Sequence, residues 1–284
     1  MRYLTIFALS IVTLLPANEV RFYSEGIQCY GKLFLPKDFS PESKAAAVVL
    51  APGSGETAAK IEHYAAYFAE RGLVAMVIDY RGWGRSGGYL ETVESVQTDD
   101  RLRFSQMTAK VRIRRKRILP QQQVLDIRNA LYYLQGEPGV DRNRVGVWGA
   151  GLAGGHAVVI AAIDARVKAV VAQSPILSGK DTSRRAYSHS AELLSADQKR
   201  ARTGQILSAL ETRLALAEYH PYWYVDQISE KTAVLLITSE NTNGNANVSA
   251  AAKLLKGPSS TVMVPGTSFE KSASAAAEWF LKHL

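Results

Sequence analysis

Apolar residues follow two spacings along the chain, and their alternation predicts strands that are each followed by a helix. Apolar positions recur at helical spacing over residues 60–72, 121–135, 152–163 and 272–284. Residues 20–36 form two short apolar stretches separated by Glu25-Gly26, which predicts a hairpin. Continuous apolar runs, typical of buried parallel strands, occupy residues 45–51, 73–80, 144–149, 167–172, 233–238 and 261–264.

This order of elements predicts one α/β domain, in which a mostly parallel sheet carries helices on both faces. Residues 178–219 interrupt the rhythm, because they are polar, alanine-rich and helical in pattern between two strands. We expect them to form a cap over the carboxyl ends of the strands, where such folds bind ligands. The predicted domain therefore covers residues 20–284, with a cap insertion over about residues 178–228.

The N-terminus carries a short apolar segment. It runs from Tyr3 to Leu15, follows Arg2, and ends at small residues before Asn18. A positive start, an apolar core and a small residue before a polar one are typical of a secretory signal peptide, and the run is too short to span a membrane. The pattern favours export, with residues 1–19 as a leader. The alternative is an N-terminal extension that packs on the domain as a strand or helix.

The net charge is +8, and much of the excess lies in residues 110–117, Lys-Val-Arg-Ile-Arg-Arg-Lys-Arg. A basic run can mark binding to nucleic acid or to an acidic membrane. No nucleic-acid-binding motif accompanies this one, so we expect a solvated strand or loop and no nucleic-acid partner. The single cysteine, Cys29, excludes an internal disulfide.

The most informative segment, residues 145–156, reads Val-Gly-Val-Trp-Gly-Ala-Gly-Leu-Ala-Gly-Gly-His. An apolar strand that enters a glycine-rich turn and then a small-residue helix is the context in which a G-x-S-x-G nucleophile stands. Here the serine position is Gly151, and Ala153 replaces the second motif glycine. The one sequence that matches G-x-S-x-G, residues 84–88, precedes no small-residue helix, and we do not expect Ser86 to be a nucleophile.

Four segments together resemble α/β-hydrolases of the dienelactone-hydrolase-like type, and most of all the polyketide-transferase-like group. They are residues 79–88, 136–149, 166–173 and 264–269, and the resemblance extends from about residue 20 to the C-terminus. It implies the α/β-hydrolase fold and a Ser-Asp-His triad.

The resemblance places the three triad positions at Gly151, Thr242 and Ser268, and none of these residues has the side chain that the triad requires. A shift in register does not supply the missing groups. No aspartate follows Asp226, and no histidine lies between His220 and His283. We therefore expect a degenerate triad and no serine hydrolysis.

Other parts of the site are expected to remain. Ser54 and Gly55 occupy the place of the oxyanion loop, and backbone N–H groups there and at Leu152 could polarise a carbonyl oxygen. Tyr222 and Trp223, after the cap, could wall an apolar pocket, with core packing as the alternative.

These observations leave three hypotheses for function. The first is a non-hydrolytic enzyme (a cyclase, isomerase or C–C bond lyase) acting on an apolar carbonyl-bearing small molecule such as a polyketide-like metabolite. The second is a pseudo-hydrolase that binds a ligand or partner without turnover, and the third is a hydrolase with relocated catalytic residues.

Neither a metal nor a cofactor is expected. His, Cys and carboxylate residues show no ligand spacing, and the G-x-G-x-x-G at residues 149–154 lacks an acidic residue about 20 positions later.

Overall fold

A computed structural model describes residues 17–94, 101, 107–179, 208–239, 245–266 and 268–284. Eight strands in this part of the chain form one sheet, and two more form a separate antiparallel ribbon. The sheet strands are β1 (Ala17–Ser24), β2 (Ile27–Phe34), β3 (Ala45–Ala51), β4 (Val74–Ile78), β7 (Val140–Ala150), β8 (Val167–Gln173), β9 (Ala233–Ser239) and β10 (Ser259–Val264); the ribbon strands are β5 (Tyr89–Thr92) and β6 (Val111–Arg114).

The strand order across the sheet is β1-β2-β4-β3-β7-β8-β9-β10. Strands β1 and β2 pair antiparallel, β2 pairs antiparallel with β4, and every later pairing is parallel. The prediction of a mostly parallel sheet is confirmed. Parallel neighbours place their carboxyl ends at one edge, where loops from several strands meet.

The predicted hairpin at the start of the domain is β1–β2. Glu25 and Gly26 both have positive φ, 48° and 77°, as a two-residue hairpin turn with the sheet's twist requires. The ladder continues to Ala17, which pairs with Phe34. The sheet thus begins three residues before the predicted domain start at residue 20, and residues 1–16 lie outside the described part.

Helices cover both faces of the sheet, as the apolar spacing predicted. On one face, α2 (Pro120–Gln135) and α3 (Leu152–Ile163) bury Ile127, Leu131 and Val158 against the strands. On the other face, α1 (Glu62–Ala69) and α6 (Phe269–His283) bury Phe68 and Phe280. Gly72, with φ of +90°, terminates the α1 segment in the left-handed conformation that favours glycine.

Most of the predicted cap, residues 180–207, lies outside the described residues, so the cap remains a prediction. Between β8 and β9 the structure describes α4 (Ser208–Ala217) and a 3₁₀ helix, Pro221–Gln227. The remaining helix, α5 (Asn245–Ala252), lies between β9 and β10. None of the helices in the described ranges is long and apolar enough to cross a membrane.

Candidate functional site

The turn at Gly151 joins β7 to α3 and has a backbone that few residues adopt. Its φ is +58° and its ψ is −118°, a conformation that strains any residue with a Cβ atom. Among the described residues, no atom lies within 4 Å of a Cβ built on Gly151. The sharp strand-to-helix turn expected of a nucleophile elbow is therefore present, and no described residue occupies the space for a side chain at its tip.

Backbone hydrogen bonds hold this turn in place. The Gly151 N–H donates to the Gln173 carbonyl at 2.9 Å, and the Gly151 carbonyl accepts from the N–H of Ile176 at 2.9 Å. Gly149 plays a different part, because a Cβ there would lie 2.3 Å from the carbonyl oxygen of Ala153. Glycine at 149 lets the first turn of α3 approach the end of β7, whereas Gly151 has no described atom beside its Cβ position.

The loop that follows β3 lies beside the turn. A Cβ placed on Gly53 would be 3.5 Å from the carbonyl oxygen of Ala150. Ser54 and Gly55 are exposed, and Gly55 has φ of +75°. Among the described residues, the N–H groups of Ser54, Gly55 and Leu152 donate no hydrogen bond. Leu152 also opens α3, where the helix dipole favours negative charge.

Glu56 contacts this loop directly, which the sequence analysis did not anticipate. Its Oε2 accepts a hydrogen bond from the Gly53 N–H at 3.2 Å, while the Glu56 N–H donates to the Gly53 carbonyl at 3.2 Å. The pair closes a tight turn of the kind that a Gly-Ser-Gly sequence permits. The three-position spacing between Gly53 and Glu56 is the feature of the sequence that predicts this turn.

The other two predicted triad positions are Ser268 and Thr242. Ser268 caps α6 without a side-chain hydrogen bond to the helix, and its carbonyl accepts from Ser272 Oγ at 3.0 Å. Thr242 lies outside the described residues. The geometry of a triad across Gly151, Thr242 and Ser268 therefore stays a prediction.

Tyr222 and Trp223 line a cavity of about 170 Å³ together with Ser178, His220, Asn247 and Ala250. The Trp223 side chain is 63% exposed, and its ring centroid lies 4.4 Å from that of His220. Ser178 Oγ is 3.4 Å from His220 Nδ1. The lining is mixed, with hydroxyl, imidazole and amide groups beside two aromatic rings. That Tyr222 and Trp223 wall a ligand pocket stays a prediction.

A fully buried histidine lies on the elbow helix. His156 Nδ1 is 2.7 Å from the Tyr219 hydroxyl, and Nε2 is 3.1 Å from Gln123 Oε1. Because Gln123 Oε1 only accepts, Nε2 carries the proton and Nδ1 accepts from Tyr219. Burial lowers the pKa of His156 to about 3, so the ring stays neutral. His156 fixes α3 against α2 and the segment before the 3₁₀ helix.

Buried charge also supports the loops after β4. Arg81 Nε donates to Asp126 Oδ1 at 2.7 Å, and both side chains are almost fully buried. Asp79 accepts from the N–H groups of Ala58 and Arg85, each at 2.7 Å. Ser86, the serine of the G-x-S-x-G match, is buried and donates to the Asp79 carbonyl at 2.6 Å. These contacts stabilise the loop after β4 against α2 and against the segment that precedes α1.

Within the described ranges, no group of three or more His, Cys, Asp or Glu side chains is arranged to hold a metal ion.

The sheet order, the turn at Gly151 and the neighbouring loop define the α/β-hydrolase fold. The chain belongs to the acetyl xylan esterase (AXE1) family, whose sequence pattern matches residues 15–211. The predicted membership of the α/β-hydrolases is confirmed.

Two curated relatives illustrate the range of the family's neighbours. The chain is 27% identical over 166 residues to the quorum-quenching protein AidA of Acinetobacter baumannii (strain MDR-ZJ06). It is 26% identical over 165 residues to the polyketide transferase claH of Penicillium crustosum. Each match covers 58% of this chain and 46% of the relative. The chain thus matches about half the length of these relatives.

Solved structures share the fold over nearly the whole chain. DcsB, solved in complex with its substrate analogue, matches with a TM-score of 0.74 and 19% identity, covering 95% of this chain and 100% of DcsB. The α/β-hydrolase GrgF from Penicillium sp. sh18 matches with a TM-score of 0.68 and 17% identity, covering 95% and 99%. At these identities the likeness establishes the fold alone.

Proposed function

We propose that this protein is a non-hydrolytic member of the α/β-hydrolases that acts on an apolar carbonyl-bearing small molecule. The observation that carries the proposal is the turn at Gly151, which keeps an elbow backbone around an open space and offers no nucleophile. The loop that carries the Ser54 and Gly55 N–H groups approaches this turn through Gly53, and Leu152 follows Gly151 directly. Such donors stabilise an oxygen that gains negative charge in a transition state.

The reaction class that fits these groups is proton transfer next to a carbonyl. Glu56, whose carboxylate contacts the loop through Gly53, takes a proton from the carbon beside the carbonyl. The C–H electron pair forms a carbon–carbon double bond as the carbonyl π pair moves to oxygen, and the N–H groups of the oxyanion loop and Leu152 hold the resulting enolate. Return of the proton to another carbon gives isomerisation. Attack of the enolate carbon on a second carbonyl gives cyclisation, with the proton passing from Glu56 to the new alkoxide.

One relative and one solved structure support a small-molecule substrate. The relative is named polyketide transferase claH, and the structure is that of DcsB in complex with its substrate analogue. The mixed aromatic and polar cavity at Tyr222 and Trp223 offers a place for part of such a molecule.

Exchange of α-protons for deuterium tests this proposal. Wild-type protein in D₂O is expected to accelerate exchange in a panel of small 1,3-diketones and β-keto thioesters, followed by NMR. Glu56→Gln keeps an oxygen for the Gly53 N–H and removes the base, so the acceleration should fall roughly 100-fold or more. Glu70→Gln, an exposed acid at the end of α1, is the matched control and should leave the rate unchanged. Equal exchange in wild type and Glu56→Gln contradicts the assignment.

The second candidate is a pseudo-hydrolase that binds its ligand without turnover. It is favoured by the small residues at all three triad positions. Restoring the side chains with Gly151→Ser, Thr242→Asp and Ser268→His tests it, because a scaffold that has only lost its reactive groups should regain hydrolysis of a p-nitrophenyl ester. Proton exchange by the wild type would exclude this candidate.

The third candidate is a hydrolase with relocated residues, and one contact favours it. Ser178 Oγ lies 3.4 Å from His220 Nδ1 inside the cavity beside Trp223. A fluorophosphonate probe, with the labelled residue identified by mass spectrometry, separates the candidates. The first two predict no labelling, whereas labelling of Ser178 that is lost in His220→Gln establishes the third. Ser54→Ala is the control, since Ser54 is exposed without a histidine partner in the described residues.

A further inference from the structure

The ribbon formed by β5 and β6 presents an apolar face to solvent. Directly opposed residues of an antiparallel pair share a face, and Leu90 lies opposite Ile113 while Thr92 lies opposite Val111. Leu90, Ile113 and Val111 are 68%, 62% and 46% exposed. Three aliphatic side chains and Thr92 are thus grouped on one outward surface, which we name the ribbon face: Leu90, Thr92, Val111 and Ile113.

The opposite side of the ribbon is fixed to the domain. The Tyr89 hydroxyl donates to Gln122 on α2, and the Lys116 N–H donates to the Gly82 carbonyl at 3.0 Å. At the end of β6, Arg115 donates to the carbonyls of Ser86 at 2.7 Å and Gly84 at 2.6 Å. These anchors set the orientation of the ribbon, so the ribbon face is held outward.

Exposed lysines lie on either side of β6. Six of the eight residues from 110 to 117 are lysine or arginine, and Lys110 before the strand and Lys116 after it are both exposed. An apolar surface bordered by basic side chains matches the boundary of an anionic bilayer, where apolar groups enter the acyl region and cations meet lipid phosphates. Binding to single-stranded nucleic acid would instead call for aromatic rings on which bases stack, and the ribbon face is aliphatic.

We propose that the ribbon face docks this protein on an anionic lipid surface, with Leu90, Val111 and Ile113 entering the interface and the exposed Lys110 and Lys116 binding the headgroups.

The ribbon also borders the candidate site. The Trp83 indole N–H donates to the Arg117 carbonyl at 2.8 Å, and the far edge of the same ring is 3.9 Å from a Cβ built on Gly55. Docking therefore brings the oxyanion loop close to the membrane, where apolar carbonyl compounds concentrate. This consequence rests on the proposed function, whereas lipid binding itself requires no turnover.

Co-sedimentation of the purified full-length chain with vesicles tests the docking. We expect binding to phosphatidylcholine vesicles that contain phosphatidylglycerol, little binding to pure phosphatidylcholine, and weakening as salt is raised. Replacing two lysines, Lys110→Gln with Lys116→Gln, should weaken partition roughly 30-fold. Leu90→Ser with Ile113→Ser should weaken it roughly 10-fold or more, because less apolar surface enters the interface.

Matched variants elsewhere on the surface serve as controls. Met263→Ser with Leu281→Ser removes comparably exposed apolar groups, and Lys253→Gln with Lys271→Gln removes the same charge. Both should leave partition within a factor of two. The proposal is overturned if the control pairs weaken binding as much as the ribbon pairs, or if the wild type binds an RNA oligonucleotide while ignoring anionic vesicles. If the wild type binds vesicles but does not accelerate proton exchange, the proposed function alone is overturned.

Discussion

Two regions along the carboxyl edge of the sheet place polar side chains in opposite ways. Behind the turn at Gly151, His156, Gln123 and Tyr219 are buried and bonded to one another, and Arg81 is paired with Asp126. At the predicted triad positions, by contrast, the residues are small. Among the described residues, the buried polar side chains thus support the loops around the turn, whereas the triad positions themselves carry neither an acid nor a base. Substitutions behind the turn should therefore lower the free energy of unfolding, whereas substitutions in the site should alter ligand binding.

The largest effect is expected from the buried ion pair. Asp126→Ala leaves the Arg81 guanidinium buried without its main counter-charge and should cost about 3–5 kcal/mol of the free energy of unfolding. Glu25→Ala removes the other, exposed partner of Arg81 and should cost less than about 1 kcal/mol. Urea denaturation measures both. Equal losses would mean that burial does not distinguish the two contacts.

His156 should make stability depend on pH. Its pKa is near 6.5 in the unfolded chain and about 3 in the folded protein. The unfolded state therefore binds a proton first as pH falls, and the stability present above 6.5 is lost progressively toward the folded pKa. From about pH 6.5 to about pH 4.5, the wild type should lose about 2–3 kcal/mol more than His156→Gln. Parallel slopes in urea melts across this range would contradict the buried neutral ring.

Much of the framework was predictable because it depends on local patterns. The runs at residues 45–51 and 152–163 coincide with β3 and α3 as observed, since continuous apolar runs and small-residue helices leave few alternatives. The position of the turn at Gly151 followed from its glycines.

Contacts between distant segments were not predictable. Ser178 and His220 are 42 residues apart, and no spacing rule links them. The exposure of Leu90 was not predictable either, because an apolar residue in a strand is ordinarily expected to be buried, whereas Ile113 lies in the run that was expected to be solvated. The contact of Glu56 with Gly53 is easier to predict, because the two residues are three positions apart and a tight turn brings the carboxylate to the Gly53 N–H.

The two glycines of the elbow sharpen the comparison between framework and site. Gly149→Ala forces a Cβ against the Ala153 carbonyl and should cost about 2–3 kcal/mol. Gly151→Ala meets no atom of the described residues, so backbone strain alone is expected to oppose it, and the cost should be about 1 kcal/mol. Thermal and urea unfolding of the two variants give the order. A larger loss at Gly151 would mean that the space at the elbow tip is filled.

The smallest effect on folding is expected at the cavity aromatic, four residues from one that supports the framework. Trp223 is 63% exposed, so Trp223→Ala should change the free energy of unfolding by less than about 0.5 kcal/mol. Tyr219→Phe removes the hydroxyl that donates to His156 Nδ1 and should cost about 1 kcal/mol or more, because a buried acceptor loses its partner. The order of the two effects should be reversed for ligand binding, because Trp223 lines the cavity whereas the Tyr219 hydroxyl is hydrogen-bonded to His156. In the diketone assay, Trp223→Ala should raise the half-saturating concentration, whereas Tyr219→Phe should leave it unchanged. If Trp223→Ala instead destabilises the fold while binding stays intact, Trp223 belongs to the framework and the cavity is not the ligand site.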